Sequence, residues 1–151
     1  IAWPYAKKYC EWVGGSLPSE AQWEKAAHGT DGRPFPWGET APTCELANFT
    51  AGENPCVGDT VPVGSYPEGA SPYGVMDMAG NVTEWVMDGG YRYDDPIPFK
   101  NPVKITQTND KIIRGGSWKS NEVYLRVQYR AYDDYDPVYL ESFGFRCVMA
   151  P

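Results

Sequence analysis

The apolar residues at the start of the chain recur at the spacing of one helix face. They are three or four positions apart, which predicts a short amphipathic helix. Pro4 suits the first turn of such a helix, and the Gly14-Gly15 pair predicts its end. The apolar positions of this predicted helix are Trp3, Ala6, Cys10 and Val13.

A capping box marks the start of a second helix. In the segment Ser19-Glu20-Ala21-Gln22, the serine hydroxyl and the glutamine side chain can satisfy free amide groups of the first helical turn. Gly29 predicts where this helix ends. The packed face of the helix is expected to consist of Trp23, Ala26 and Ala27.

Beyond the second helix the pattern becomes irregular. Residues 30–72 are rich in Gly, Pro, Asn and Asp, but they also contain aromatic and proline clusters such as Phe35-Pro36-Trp37-Gly38. These clusters favour ordered loops that pack on a core over disorder. Short strands are predicted at 82–87, 112–118 and 143–148. The pattern predicts an α+β fold with two short helices, few short strands and long ordered loops.

The composition of the chain argues against some classes of binding partner. The chain of 151 residues has a length typical of one domain. Its 13 basic and 20 acidic residues give a formal net charge of −7, which argues against nucleic acid or an anionic membrane surface as a partner. No apolar run approaches the roughly 20 residues of a membrane-spanning helix. We therefore expect a protein without a membrane span.

The cysteine pattern favours disulfides over a metal site. Four cysteines lie at wide spacing without a CxxC pair, and His28 is the one histidine of the sequence. The even number favours two disulfides, which implies a secreted, periplasmic or cell-surface protein. The alternative is four buried thiols in a cytosolic protein. His28 falls at a predicted helix end, where helix termination is its expected role.

Several long motifs in one order carry a resemblance to a known family. Together the motifs cover nearly the whole chain, and the chain resembles the formylglycine-generating enzymes, or sulfatase-modifying factors. The motifs are Tyr9-Cys10-Glu11-Trp12, the stretch from Leu17 to Ala27, Pro36-Trp37-Gly38, the stretch from Pro62 to Pro67, the stretch from Tyr73 to Trp85, Arg114-Gly115-Gly116-Ser117-Trp118, and Gly144-Phe145-Arg146-Cys147.

The resemblance has implications for architecture. The family has a variant of the C-type-lectin-like fold with little regular structure and bound calcium, in agreement with the pattern above. It implies one family domain over residues 1–151, whose usual N-terminal strands would precede Ile1. The family position of Cys10 and Cys147 implies a disulfide between them. Cys44 and Cys56 flank the loop that contains Asn48 and are expected to form the second.

The resemblance also implies an altered chemistry. Enzymes of the family oxidise a peptide cysteine to formylglycine with oxygen and copper(I), which two cysteine thiolates bind. Those two positions are Ser120 and Leu125 in this chain, so no copper is expected. Thr83 replaces a tryptophan that is usual in these enzymes, whereas Ser117 and Arg126 match active-site positions of the family. The resemblance thus implies a domain without the family's catalytic cysteines.

Calcium is the metal that the resemblance implies. One set of ligands consists of side-chain and carbonyl oxygens, which calcium accepts in flexible geometry. A second set uses the side chain of Asn48 and the carbonyl of Phe49, but its usual aspartate aligns near Pro55. The alternative for the first set is a turn whose carboxylates are solvated. The first set consists of the Asp77 and Glu84 side chains and the Gly80 and Val82 carbonyls.

The last third of the chain interleaves tyrosines with aspartates. Tyrosine rings favour recognition surfaces because they give large contacts at low entropic cost. The leading hypothesis is a noncatalytic module of an exported protein that binds a peptide or protein. The alternatives are an oxidase or maturation factor completed by a missing segment or partner, and a structural domain of a surface assembly. The expected ligand-binding residues are Ser117, Trp118, Ser120, Tyr124, Arg126, Tyr132 and Tyr135.

Overall fold

Helices and strands make up a small part of the computed structural model, which describes residues 1–90, 102–106, 110–134 and 141–149. The predicted mixture of two short helices and few short strands is confirmed. In chain order, the α-helices and strands of this described part are α1 (Trp3–Trp12), α2 (Glu20–His28), β1 (Thr50–Ala51), β2 (Asn54–Pro55), β3 (Thr83–Gly89), β4 (Asp110–Arg114), β5 (Arg130–Asp134) and β6 (Phe143–Phe145), and two short 3₁₀ helices lie at Pro67–Gly69 and Glu122–Leu125.

The two helices begin and end close to the positions that their sequence signals predict. In α2 the hydroxyl of Ser19 accepts a bond of 3.2 Å from the Gln22 N–H, and the Gln22 side chain accepts one of 2.8 Å from the Ser19 N–H. Gly29 ends this helix in the left-handed region, at a φ of 71°. Helix α1 buries Ala6 and Cys10, as its apolar spacing predicts.

Four of the strands form one sheet in the order β5-β4-β3-β6. The pairs β3–β4 and β4–β5 are antiparallel, whereas β6 runs parallel to β3. The prediction of a strand over 112–118 was wrong at its end, because β4 stops at Arg114 where Gly115 and Gly116 take positive φ. Strand β5 was not predicted.

The sheet separates two packed layers. Side chains that alternate along a strand point to opposite faces. On one face Trp85 packs with α1 residues and Phe143, and we call this the α1 face. On the other, Val86 and Ile112 pack against Trp23 of α2, and we call this the α2 face.

The long loops are ordered because they have a core of their own. Phe35, Ala47 and Phe49 pack together with Ala79 and Leu125 in a buried cluster. Three of these residues lie in the segment that the sequence marks as irregular but ordered. The loop segments therefore contribute to the hydrophobic core.

Both predicted disulfides are present. Cys10 is bonded to Cys147, 137 positions away, and Cys44 to Cys56, 12 positions away. In the chain-entropy model the long closure stabilises the fold by about 5 kcal/mol and the short one by about 3 kcal/mol. Within the described residues, neither helix is long and apolar enough to cross a membrane.

Candidate functional site

A cavity of about 230 Å³ lies at the end of β4, next to the Arg-Gly-Gly-Ser turn. Its walls combine two kinds of side chain. Hydroxyl groups come from Thr83, Ser117, Ser120, Tyr124, Tyr129 and Ser142. The apolar wall consists of Ile113, Ala131 and Phe143.

The sheet brings the apolar wall together. Ile113 of β4 is paired with Ala131 of β5, and Thr83 of β3 is paired with Phe143 of β6. Paired residues of neighbouring strands present their side chains on the same face. Ile113 is also paired with Trp85, so the wall belongs to the α1 face.

The Arg-Gly-Gly-Ser turn brings two serines to the cavity. Gly115 and Gly116 have φ values of +87° and +67°, which side chains rarely adopt. A Cβ atom at Gly116 would also lie 3.0 Å from the Tyr124 carbonyl oxygen. After the turn, the Ser117 N–H donates to the Ser120 hydroxyl at 2.9 Å, and the two hydroxyl oxygens are 3.4 Å apart. Two adjacent hydroxyls thus lie in one wall.

Two tyrosines form another part of the cavity wall. The rings of Tyr124 and Tyr129 meet edge to face, with their centroids 4.7 Å apart. Burial, and then the neighbouring Tyr124, raises the pKa of Tyr129 above its usual value. Tyr129 therefore stays a neutral phenol at physiological pH, able to donate or accept a hydrogen bond.

The two positions expected for copper-binding cysteines have different environments. Ser120 lines the cavity. Leu125 ends a short 3₁₀ turn and is fully buried against Phe35 and Phe49. All four cysteines of the chain are in disulfides. No thiol of this chain is therefore free to form a thiolate ligand in the cavity.

The expected ligand-binding residues do not all meet. Ser117, Ser120 and Tyr124 line the cavity together. Arg126 is exposed and its guanidinium lies over the ring of Phe35, 5.4 Å from the ring centre. Tyr132 is paired with Ile112 and so lies on the α2 face, away from the cavity.

Two further residues that were expected to bind a ligand are not among the described residues that line the cavity. The indole N–H of Trp118 is buried without a hydrogen-bond partner among the described residues, and the Lys119 ammonium lies 4.8 Å from the ring centre. Tyr135 lies outside the described residues.

Sequence reasoning missed part of the cavity wall. Tyr129, Ala131 and Ser142 line the cavity; they lie in the stretch from Trp118 to Ser142 that the sequence indicates as a binding face, but they were not among the expected ligand-binding residues. The signal that could have found Ala131 is the alternation of side chains along β5, which was hidden because that strand was not recognised.

The loop expected to bind calcium holds a buried ion pair. The Glu84 carboxylate accepts bonds of 2.6 and 2.7 Å from Arg146 and one of 2.7 Å from the Trp23 indole. Arg146 also donates to the Asp77 carbonyl at 3.0 Å, and the Asp77 Oδ2 atom accepts from Gly64 at 2.7 Å. The Asp77 Oδ1 atom and one side of Glu84 Oε1 remain as acceptors. These oxygens are the donors that a calcium ion would use here, beside the guanidinium that already contacts Glu84.

Burial by itself would lower the pKa of Arg146, but the Glu84 carboxylate outweighs burial and raises that pKa. The guanidinium is therefore a permanent positive charge in this loop. Calcium ligands here would have to include carbonyl oxygens, since the described residues contain no group of three or more His, Cys, Asp or Glu side chains placed to bind a metal.

The second expected calcium set contains an unsatisfied acceptor. Asn48 is buried, and its amide nitrogen donates to the Asp59 carbonyl at 2.8 Å. Its side-chain oxygen has no hydrogen-bond partner among the described residues. The Phe49 carbonyl accepts from the Cys56 N–H at 2.8 Å. Because buried acceptors are nearly always satisfied, the Asn48 oxygen fits a cation ligand.

Comparison with known proteins gives similarity along the whole chain. The chain is 38% identical to the serine/threonine-protein kinase Pkn1 of Chlamydia pneumoniae, over 98% of the chain and 23% of the kinase. It is 36% identical to hercynine oxygenase of Mycolicibacterium smegmatis, over 85% of the chain and 32% of that enzyme. It is 33% identical to formylglycine-generating enzyme of Mycobacterium tuberculosis, over 100% of the chain and 56% of the enzyme. The chain thus spans from about a quarter to about half of these relatives.

Solved structures and a family model agree with these relatives. PvdO from Pseudomonas aeruginosa matches with a TM-score of 0.79 and 27% identity, over 96% of this chain and 58% of PvdO. Treponema denticola variable protein 1 matches with a TM-score of 0.71 and 30% identity, over 89% of this chain and 47% of that protein. The model of the sulfatase-modifying factor enzyme 1-like domain matches residues 1–151. The chain therefore belongs to the sulfatase-modifying factor enzyme 1-like family.

Proposed function

We propose that this domain is a noncatalytic recognition module that binds a peptide or protein ligand at the cavity beside the Arg-Gly-Gly-Ser turn. One observation carries the proposal: the two positions of the family's catalytic cysteines are a hydroxyl at the cavity wall, Ser120, and a core side chain, Leu125. The chain therefore has a cavity at this position but lacks the thiolate pair.

The setting that we propose is an exported, larger protein. The two disulfides favour an oxidising compartment. The kinase relative, of which the chain spans 23%, supports a multidomain parent chain. Exposed surface beside the cavity, such as the partly exposed ring of Tyr124, would extend the contact beyond the cavity itself.

Affinity capture tests the binding role. The immobilised domain is expected to retain a specific partner, and Ala131→Leu, which fills the cavity from β5, is expected to lose it. Tyr132→Ala is the matched control, because the next residue of the same strand lies on the α2 face. Equal capture by the domain and by Ala131→Leu would contradict binding at the cavity.

A direct assay tests the absence of the family's oxidation. The domain is incubated with copper, a reductant, oxygen and a cysteine-bearing sulfatase peptide, and conversion to formylglycine is followed by mass spectrometry. We expect no conversion above a metal-free control, because Ser120 and Leu125 provide no thiolate. Conversion above that control would contradict a noncatalytic role.

A second function is favoured by one observation, the edge-to-face pair of Tyr124 and Tyr129 in the wall of the cavity. Together with the similarity to hercynine oxygenase, it supports an oxidase or maturation factor that a further segment or partner completes. Oxygen consumption by the full-length parent protein, with Tyr129→Phe as the comparison, tests this alternative. A rate that is lost in Tyr129→Phe would favour it over the recognition role.

We also propose that calcium stabilises the domain. One ion would be held by Asp77, the carbonyls of Gly80 and Val82, and Glu84; a second would be held by Asn48 and the Phe49 carbonyl. When bound, calcium would be a second positive charge near the carboxylates of the first set, beside the guanidinium of Arg146. No copper site is proposed.

Thermal melts with calcium and with a chelator test this proposal. At a calcium concentration of 100 times Kd, binding to the folded state contributes about 2.7 kcal/mol, which is several degrees of Tm. Asp77→Ala is expected to reduce this calcium-dependent shift, whereas Asp31→Ala, which breaks an exposed ion pair with Arg33, is expected to keep it. A melting temperature that is indifferent to calcium would contradict the proposal.

A further inference from the structure

The cavity is amphipathic and presents no free charge from its described lining. Arg114 is the one charged residue among the described residues that line it, but its side chain is fully buried. The Arg114 guanidinium donates to Glu24 at 2.5 Å and to the Tyr129 carbonyl at 3.0 Å. Its charge is therefore used within the fold.

This chemistry selects against a charged ligand group. A charge that enters the cavity loses hydration and finds no opposite charge among the described lining residues, which is costly. Hydroxyl groups can both donate and accept hydrogen bonds. The adjacent hydroxyls of Ser117 and Ser120 can therefore satisfy either a donor or an acceptor on an uncharged group.

The size and the walls of the cavity favour an aromatic ring. A protein cavity of about 150 Å³ is known to hold benzene, so about 230 Å³ leaves room for a ring with a substituent. Ile113, Ala131 and Phe143 offer an apolar wall for the ring. The Tyr124–Tyr129 pair adds aromatic edges and faces, which attract a further ring.

We propose that the cavity accepts a neutral phenol, the side chain of a tyrosine in the ligand. Its ring packs on the apolar wall, and its hydroxyl bonds to the serine pair Ser117 and Ser120. This inference rests on the proposed recognition function and names the residue that the cavity selects.

Titration with four small probes tests the selection. The probes are N-acetyl-tyrosinamide, N-acetyl-phenylalaninamide, N-acetyl-lysinamide and N-acetylglutamic acid α-amide, and binding is followed by NMR of the ¹⁵N-labelled domain. The tyrosine probe is expected to shift the amide signals of Ser117 and Ala131 and to saturate. The phenylalanine probe is expected to bind about fivefold more weakly, because one hydrogen bond of about 1 kcal/mol is missing.

Two variants separate the ring contact from the hydroxyl contact. Ala131→Leu is expected to abolish binding of the tyrosine probe by filling the cavity. Ser120→Ala is expected to weaken binding of the tyrosine probe and to leave binding of the phenylalanine probe unchanged. The Kd of the phenylalanine probe divided by the Kd of the tyrosine probe should therefore fall toward one. Tyr132→Ala, on the α2 face, is expected to leave all four Kd values unchanged.

Several results would overturn the inference. They are binding of the lysine or glutamate probe as tight as that of the tyrosine probe, a phenylalanine probe that equals or exceeds the tyrosine probe, and no binding of any probe. If affinity capture still depends on Ala131 in those cases, the recognition function stands and the selected side chain is a different one. If the tyrosine probe binds but capture is independent of Ala131, the recognition function fails instead.

Discussion

The two faces of the central sheet carry different kinds of side chain. On the α2 face, charged groups are buried in pairs: Arg114 contacts Glu20 and Glu24, and Arg130 contacts Glu20. On the α1 face, the described side chains around the cavity are apolar or carry hydroxyls, apart from Arg114, whose guanidinium is bonded within the fold.

The difference separates the scaffold from the proposed binding surface. Charges on the α2 face pair with one another and tie α2 to the sheet through Glu20. The hydroxyls around the cavity lie at the open end of the α1 face, where a ligand can still bond to them. A buried charge pair is costly to break, whereas a hydroxyl at a cavity wall is cheap to remove.

The largest expected effect is on the α2 face. Arg114→Met should lower the free energy of unfolding by about 3–5 kcal/mol, because Glu24 loses its bond to a buried guanidinium and Glu20 keeps Arg130 but loses Arg114. The carbonyls of Val127 and Tyr129 also lose their donor. Urea denaturation measures the change. Arg33→Met, which breaks the exposed pair with Asp31, is the control and should leave stability nearly unchanged. A small effect of Arg114→Met would show that the charge pairs do not form the scaffold.

A smaller effect is expected from Asp88, the carboxylate of the α2 face that bonds to backbone. It accepts bonds of 2.7 Å from the Glu20 N–H and 2.8 Å from the Lys104 N–H. Burial raises the pKa of Asp88, although both backbone bonds and the charge of Arg130 oppose the shift. Between the unfolded pKa of about 3.9 and the raised folded pKa, the folded state binds more protons than the unfolded state. The free energy of unfolding should therefore fall as pH rises through this range.

Asp88→Asn should remove this fall. Urea denaturation of both proteins between pH 4 and pH 7, a range that follows from the reference pKa, measures the slope of stability against pH. The variant loses an acceptor and should be less stable at every pH, so the slope is the readout. An unchanged slope would mean that Asp88 ionises in the folded state as it does in the unfolded chain.

The smallest effect is expected on the α1 face. Ser120→Ala removes a hydroxyl that accepts the Ser117 N–H at 2.9 Å, so stability should fall by about 1–2 kcal/mol. Denaturation in urea gives this value, and the tyrosine probe gives the loss of affinity. A loss of stability as large as that of Arg114→Met would remove the distinction between the two faces.

The parts of the fold that the sequence predicts correctly depend on local chemistry. The α2 capping box and the glycine that ends α2 satisfy backbone groups within a few residues. The Cys10–Cys147 disulfide is a long-range contact, but it was predicted from family resemblance and not from local pattern.

The parts that were missed depend on contacts between distant residues. Arg114 and Glu24 are 90 positions apart, and no local pattern indicates that they meet. Strand β5 was missed because its arginine, one tyrosine and two aspartates resemble a polar surface, although its backbone pairs with β4 over five residues. The family motif assigns Leu125 to the position of a copper-binding cysteine, whereas packing places this side chain in the core.

The burial of Asn48 and Asn81 limits how the protein can be produced. Both residues begin an Asn-x-Thr sequence that eukaryotic secretory hosts glycosylate. Both are buried, and their amide nitrogens donate to the carbonyls of Asp59 and Val61. A glycan attached before folding would take an amide hydrogen from these bonds and require space that the fold does not have. Export through a bacterial periplasm allows the disulfides to form without this obstacle, whereas yeast or mammalian secretion would favour misfolded, glycosylated chains.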